Sequence, residues 1–486
     1  MHNPPTTTDL AVIQNRARRP LIVTGLIMAM FLSAIEATIV ATAMPTVIKD
    51  LGGLSLYGLV GASYLLASTV TIPLYGRLAD LRGRKVMMLR GIGLFLAGST
   101  ICAFAPRLGI LVLGRVIQGL GAGAMQPITM TLIGDLFSLE ERGRIQGLMG
   151  TVWGLAGVSG PLIGALLVRS LGWRSIFWLN LPFGLFAAGI IAWSLREPAR
   201  AVNAPRVDWS GAGLLIFGSG ALLAATTGYR ILPFTVVGVA LITALIVAEQ
   251  RIKDPLLPIE LLTRRDVVIG SLSALLVGAC FMGIINFLPL FLQTGLGLSP
   301  AIAGSSLSPL LVGWPIAATL SSTFIVRTGF RTPLVVGAFV IATAMIGLRI
   351  WMMTPVTIVI YPIMFVLGAG FGLTTSSVII AVQTSVHYHQ RGLATAFNMF
   401  SRSMGGAVGV GIAGLLVGVA FGSEGASASA VAQAPHLLIH TLGNVFLVLA
   451  GLAVIHIPLC WAYPPTNAIA QQEAGDHLPP VAALME

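Results

Sequence analysis

The sequence predicts an all-α polytopic membrane protein, and three observations carry that prediction. Only 9% of its 486 residues are charged and 56% are hydrophobic, whereas about 25% of a soluble domain is charged. Apolar runs long enough to cross a bilayer, about 20 residues each, recur along the chain. Basic residues gather in alternate connectors between those runs, the asymmetry that the positive-inside rule demands.

Fourteen runs follow one another, at 21–44, 56–76, 86–106, 108–133, 144–168, 173–195, 210–228, 231–249, 267–292, 301–326, 332–353, 355–382, 391–420 and 437–462. An even count puts both termini on one side. With that side cytoplasmic, 20 of the 28 Lys and Arg residues lie in cytoplasmic segments. Five (Lys49, Arg107, Arg169, Arg174, Arg230) lie outside, and three (Arg115, Arg349, Arg402) lie within spans. The first run is too long for the core of a signal peptide and no small-residue cleavage site follows it, so it reads as retained. Two linkers rich in Pro and charge, Arg196–Trp209 and Gln250–Asp266, bracket a helical pair at 210–249. The chain therefore divides into a cytoplasmic arm (1–20), a six-helix bundle (21–195), linkers holding the inserted pair (196–266), a second six-helix bundle (267–462) and a cytoplasmic tail (463–486).

The net charge of +11 sits in these short connectors, which points to membrane orientation and not to nucleic acid. The three cysteines (Cys102, Cys280, Cys460) all fall in apolar runs and imply no disulfide framework.

An ionisable side chain near the bilayer centre costs about 2.5–3.5 kcal/mol on insertion scales, so each one needs a reason. Glu36 lies roughly 12 Å and Arg115 roughly 10 Å from the outer ends of their spans at 1.5 Å per residue. Spans 1 and 4 run antiparallel, so these opposite charges reach one depth and are expected to face each other across the cavity of the first bundle. One reading is a fixed ion pair that holds two helices together. The other is a carboxyl group poised between desolvation and a neighbouring cation, able to bind a proton or a cationic substrate in competition. Arg115, Gly119, Ala122 and Gln126 form one helical stripe, suited either to close packing or to a cavity wall. Arg402 sits near mid-depth of span 13, facing a substrate, a helix carbonyl end or water. Arg349, near the outer end of its span, is expected to snorkel, and His456 to be a packing residue.

The connector after span 2, Gly76-Arg77-Leu78-Ala79-Asp80-Leu81-Arg82-Gly83-Arg84-Lys85, holds one acid among four bases. It resembles the signature loop of the major facilitator superfamily. Leu111 to Gly123, with Arg115 inside the membrane, resembles the span-4 motif of that family. Gly157-Val158-Ser159-Gly160-Pro161-Leu162-Ile163-Gly164 resembles the exporter motif of span 5. Trp173 to Gly184, together with Glu36-Ala37-Thr38-Ile39-Val40 through Met44-Pro45, resembles the fourteen-span drug:proton antiporters. The chain departs from the pattern where Ala156 and Ala165 replace glycines, and where Glu36 stands for the more frequent Asp. The matching loop of the second half is reduced to Arg327-Thr328-Gly329-Phe330-Arg331, which makes the first half the coupling half.

The resemblance implies a major facilitator fold of two six-helix bundles plus two inserted helices. It further implies a proton-coupled secondary antiporter that exports amphiphilic or cationic drugs by alternating access. Glu36 and Arg115 would couple the proton. Asp80 would latch the halves at the N-terminus of span 13, where the helix dipole favours a carboxylate, with Arg84 orienting it. Gly76 would allow close approach and Gly83 the tight turn, and Gly160-Pro161 would bend span 5. Spans 1, 4, 9 and 12 would line the cavity, nominating Asn286, Tyr361 and Gln383 beside Gln126 of the span-4 stripe, each equally the kind of polar residue that neighbouring helices satisfy; Arg402 of span 13 is counted with them as a residue that meets a substrate.

The expected partners are small amphiphilic substrates, protons and membrane lipids. The expected form is a monomer in the plasma membrane, that of a bacterial inner membrane, with no metal or cofactor and with the proton gradient as its drive. An exporter of lipid or glycolipid on the same fold is the alternative. A polytopic enzyme would need clustered His, Asp or Cys, and His387-Tyr388-His389 is the only close His pair. No Gly-x-x-x-x-Gly-Lys-Ser/Thr loop supports ATP drive.

Overall fold

The computed structural model describes residues 18–52, 57–197, 208–225, 231–252, 258–421 and 435–465. The first six long helices are α1 (Arg19–Leu51), α2 (Tyr57–Arg82), α3 (Arg84–Ala103), α4 (Leu108–Leu136), α5 (Leu139–Leu171) and α6 (Ser175–Ser194). A pair follows, α7 (Trp209–Ala225) and α8 (Ile231–Glu249). The last six are α9 (Arg265–Leu290), α10 (Ser308–Thr328), α11 (Arg331–Trp351), α12 (Ile360–Thr384), α13 (Arg391–Phe421) and α14 (Pro435–Trp461). No strand occurs among the described residues.

Thirteen of these helices are long and apolar enough to cross a membrane, and α7, at 17 described residues, is a shorter apolar helix. The expected span 210–228 runs into residues 226–230, which lie outside the described residues, as do most of the 1–20 arm, parts of both linkers and the tail beyond 465. Many large apolar side chains on the outer helix faces, such as Leu155, Leu162, Leu166 and Phe186, are exposed. That is the arrangement a hydrocarbon solvent favours, with every backbone polar group satisfied inside its own helix.

Helix ends follow local chemistry. Pro20 occupies the first turn of α1, where a missing N–H costs nothing. α5 begins at Leu139, five residues before the expected span 144–168, where the backbone N–H of Ser138 donates to Glu141 Oε2 at 3.0 Å, one arm of a capping box. The expected span 301–326 is instead two helices, Pro300–Ser306 and α10. Pro309 cannot donate to the carbonyl of residue 305, so the ladder is interrupted at Leu307.

The two six-helix sets are built alike. In the first, α1 packs on α5 and α6, α2 on α4, and α3 on α4 and α6. In the second, α9 packs on α13 and α14, α10 on α12, and α11 on α12 and α14. Every pairing recurs eight helices later, the mark of a parallel structural repeat. The halves join through α2 against α13 and α5 against α10, two contacts exchanged by the same repeat. α7 lies against α2 and α13, beside that seam.

Candidate functional site: a buried charge cluster and a polar seam

The first cluster forms inside the first half. Gly98 on α3 and Gly114 and Gly121 on α4 leave no room for a Cβ, so the two helices approach closely. That closeness sets Ser99 beside Gln118. Glu36 on α1 is 0% exposed and forms an ion pair through Oε1 with Arg115 Nη1, itself 2% exposed. On the other carboxylate oxygen, Asn180 Nδ2 of α6 donates to Glu36 Oε2 at 2.7 Å, and the same amide donates to Ser99 Oγ at 2.8 Å. Arg115 also donates from Nη1 to Gln118 Oε1 at 2.7 Å and from Nε to the Val60 carbonyl at 3.2 Å. Its guanidinium lies 4.2 Å over the Tyr64 ring.

Glu36 and Arg115 therefore meet directly, closed in by α2, α3 and α6, and do not face one another across an open space. The stripe on α4 divides. A Cβ on Gly119 would stand 2.9 Å from Ala67 Cβ, so Gly119 serves close packing on α2, whereas Gln126 further along is partly exposed.

The second cluster closes the seam at the end that carries the basic connectors. Asp80 accepts from the backbone N–H of Gly392 at 3.0 Å through Oδ1 and from that of Leu393 at 2.8 Å through Oδ2. It thus sits on the first turn of α13, where unpaired N–H groups and the helix dipole both favour a carboxylate. Gly76 makes the contact possible: a Cβ there would stand 2.7 Å from the Gly392 carbonyl oxygen. Gly83 turns from α2 to α3 at φ +105°, a left-handed conformation in which a side chain would be strained.

Arg84 pairs with Asp135 at the end of α4 and approaches Asp80 Oδ1 only at 3.5 Å. It donates to the Tyr388 carbonyl at 2.9 Å and stacks 4.1 Å from the Tyr388 ring. On the far side of the seam Arg391 reaches Asp135 Oδ1 at 3.7 Å. Arg142 of α5 approaches Thr384 Oγ1 of α12 at 3.4 Å, and Ser322 Oγ of α10 donates to the Glu140 carbonyl at 2.8 Å.

Gln383 belongs to this seam. It is 1% exposed, and its amide donates to the Met130 carbonyl of α4 at 2.9 Å. The other nominated cavity residues are not brought together. Asn286 is exposed and donates to the Met282 carbonyl of its own helix at 2.8 Å, and the Tyr361 hydroxyl lies 3.0 Å from Ser305 Oγ. Gly160 packs against Thr38 of α1, and α5 continues as helix through Pro161. His456 lies buried, 2.7 Å from Ser273 Oγ.

At the opposite end, Trp173 Nε1 donates to Asp50 Oδ2 at 2.9 Å and Arg174 Nη1 reaches the same oxygen at 2.9 Å. These bonds, the indole first, hold the Asp50 carboxyl below the usual carboxylate range.

Sequence reasoning passed over Asn180, Gln118, Ser99, Asp135 and Arg391 as site residues. Asn180 stood within the span-6 motif without a role, and Asp135 fell two residues beyond the apolar run of span 4.

The comparisons agree with this architecture. The solved proton:xylose symporter XylE superimposes with a TM-score of 0.66 at 16% identity, over 95% of this chain and 99% of that one. The human organic anion transporter MFSD10 does so with a TM-score of 0.64 at 15% identity, over 89% of this chain and 99% of that one. Both likenesses concern the fold. In sequence, the multidrug transporter protein MdtP of Bacillus subtilis (strain 168) is 33% identical over 419 residues, 84% of this chain and 77% of that protein. The multidrug efflux pump SdrM of Staphylococcus aureus (strain N315) is 28% identical over 457 residues, 91% of this chain and 96% of that protein. The profile of the Major Facilitator Superfamily matches residues 26–410, a stretch that takes in both charge clusters and the seam between the halves: the chain is a multi-pass membrane transporter that belongs to the major facilitator superfamily.

Proposed function

We propose that this protein is a proton-coupled antiporter that exports amphiphilic, often cationic, compounds across the plasma membrane, with both termini cytoplasmic. The observation that carries the reading is Glu36. A carboxylate with no exposure inside a membrane bundle is costly, and its neighbours offer it one cation and one amide donor in place of water. The names of MdtP and SdrM as multidrug transporters support the substrate class.

The neighbours also suit a proton that comes and goes. If Glu36 is protonated, Arg115 loses its ion pair yet keeps Gln118 Oε1, the Val60 carbonyl and the Tyr64 ring. Asn180 keeps Ser99 as acceptor. In either state of Glu36 these partners keep a hydrogen bond or ring contact. α1, which carries Glu36, packs on α5, and α5 is one of the two main helices on which the halves meet. A change at Glu36 is therefore two helices from the seam.

In alternating access the seam must open. The basic end is closed, held by Asp80 on α13, by Arg84 and Arg391 around Asp135, and by Gln383 on α4. With the basic end cytoplasmic, the seam is closed on the cytoplasmic side.

The test is transport of a cationic dye in proteoliposomes under an imposed pH gradient. Gradient-driven dye movement that Glu36→Gln abolishes is the expected result. Full coupling in Glu36→Gln would reduce the cluster to a structural ion pair. A wild type that moves no dye but flips a fluorescent lipid would point to lipid export.

A further inference from the structure

The second half holds a cation without a counter-charge. Arg402, eleven residues into α13, makes no hydrogen bond and no ion pair with any described residue. From Val267 to Ala462 the sequence contains a single acidic residue, Glu424, which lies outside the described residues. The first half neutralises its membrane arginine with Glu36; the second has no such carboxylate beside Arg402. An unpaired guanidinium at this depth is expensive, and water or a mobile anion must compensate it.

The surroundings suit an anion. Arg402 lines a small cavity of about 10 Å³ between α9, α12 and α13, with Ser273, Thr374, Thr375 and Asn398 as the polar lining. A space of that size holds about one water-sized group. The Thr375 hydroxyl is buried without a partner and is free to donate. Asn398 and Ser273 are already engaged, the first donating to the Gly270 carbonyl at 2.9 Å, the second 2.7 Å from His456 Nε2. No carboxylate lines the space to repel a negative charge. Arg402 as a whole residue is half-buried.

We propose that Arg402, with the Thr375 hydroxyl, forms a subsite in the second half for one small monoanionic group. That group is either the carboxylate end of an amphiphilic substrate inserted from the transport path or a free halide. The physiological use of the subsite rests on the transporter reading above, whereas binding at the subsite does not. In exchange terms, the first half would handle the proton and the second the negative end of the cargo, so zwitterionic amphiphiles become substrates as well as cations.

Two measurements on the purified full chain test this. The first is the thermal midpoint of wild type, Arg402→Gln and Arg402→Lys in sodium chloride or sodium acetate, against sodium sulfate at equal ionic strength. A bound anion raises the midpoint as its concentration passes its Kd. We expect chloride and acetate to stabilise wild type, with binding weakened about ten- to a hundredfold in Arg402→Gln, the loss of one charge-assisted contact. Arg402→Lys keeps the charge without the planar fork and is expected to fall between. The second is proteoliposome efflux of carboxyfluorescein and of ethidium.

Loss of carboxyfluorescein efflux alone in Arg402→Gln assigns the subsite to substrate carboxylate. Chloride-dependent efflux of both dyes, lost in Arg402→Gln, assigns it to a free halide. Equal salt responses in wild type and Arg402→Gln overturn the proposal, whatever the dyes do. If wild type moves neither dye, the transporter reading of the site fails while the midpoint series still decides the anion subsite.

Discussion

Asn180 Nδ2 donates to Glu36 Oε2 at 2.7 Å, on the oxygen that Arg115 leaves open. The two residues come from α1 and α6, 144 positions apart. Through Ser99 the same amide ties Glu36 to α3. The carboxylate is thus held by the bundle as a whole and not by one partner helix.

Removing that amide should unbalance Glu36. Asn180→Ala is expected to destabilise the protein by about 1.5–3 kcal/mol, the worth of a hydrogen bond to a charged group. Coupled transport should fall along with it. Asn180→Asp, which sets a second carboxylate against the first, should be worse. Thermal midpoints in detergent, together with dye transport, check both.

The ion pair itself calls for a double-mutant cycle. Arg115→Gln alone leaves a buried carboxylate uncompensated, and the expected cost is about 3–5 kcal/mol. Glu36→Gln with Arg115→Gln should recover much of it, because two neutral amides can bond one another. Recovery of stability without recovery of coupling separates the structural from the functional share. If the double variant is no more stable than Arg115→Gln, the two side chains do not act as a pair.

The seam makes a conformational prediction. Asp80→Asn keeps the shape but removes the charge on the first turn of α13, and Gly76→Ala drives a Cβ toward the Gly392 carbonyl. Both should shift the population toward opening at the basic end. Spin labels at the exposed positions Arg82 and His389, one on each side of the seam, report it. A longer-distance component that grows in both variants is expected, and an unchanged distribution would remove Asp80 from the latch.

Asp50 carries a pH dependence of determined sign. Its folded carboxyl lies below the unfolded value of about 3.9. The tie from α1 to Trp173 and Arg174 is therefore fully present above that value and is lost as pH falls through the lower folded one. Asp50→Asn should lower the midpoint slightly at neutral pH, and the two proteins should converge as pH falls through the folded value. A titration of thermal midpoint from pH 7 to pH 3 checks it.

The charged parts of these sites were legible in the sequence because a charge inside an apolar run stands out, and its depth can be counted from the end of the span. Glu36, Arg115 and Arg402 were found in that way, whereas Asp80 was found in the basic connector that resembles the superfamily's signature loop. Asn180, Gln118 and Ser99 were not, since a neutral polar residue in a span reads the same whether it holds a carboxylate or bonds its own helix. Asp135 was hidden for a different reason. It follows the apolar run of span 4, yet α4 continues as helix to Leu136 and carries it under Arg84 and Arg391. Gln383 was assigned to the transport path because the family resemblance makes span 12 a cavity wall, and nothing local to that span shows that this side chain meets α4 of the other half. The seam depends on pairings between α2 and α13 and between α5 and α10, hundreds of residues apart in some cases, and no local pattern encodes them.

The most direct measurement of the central claim is proton release on substrate binding. A saturating cationic substrate is added to purified protein in weakly buffered detergent solution, and the pH is followed. Exchange at Glu36 predicts that wild type releases about one proton per substrate bound when it starts protonated, by linkage between the two ligands. It also predicts that Glu36→Gln binds substrate and releases none. Proton release that survives in Glu36→Gln would contradict the account and place the coupling carboxylate elsewhere, with Asp80 and Asp135 the next buried acids to replace.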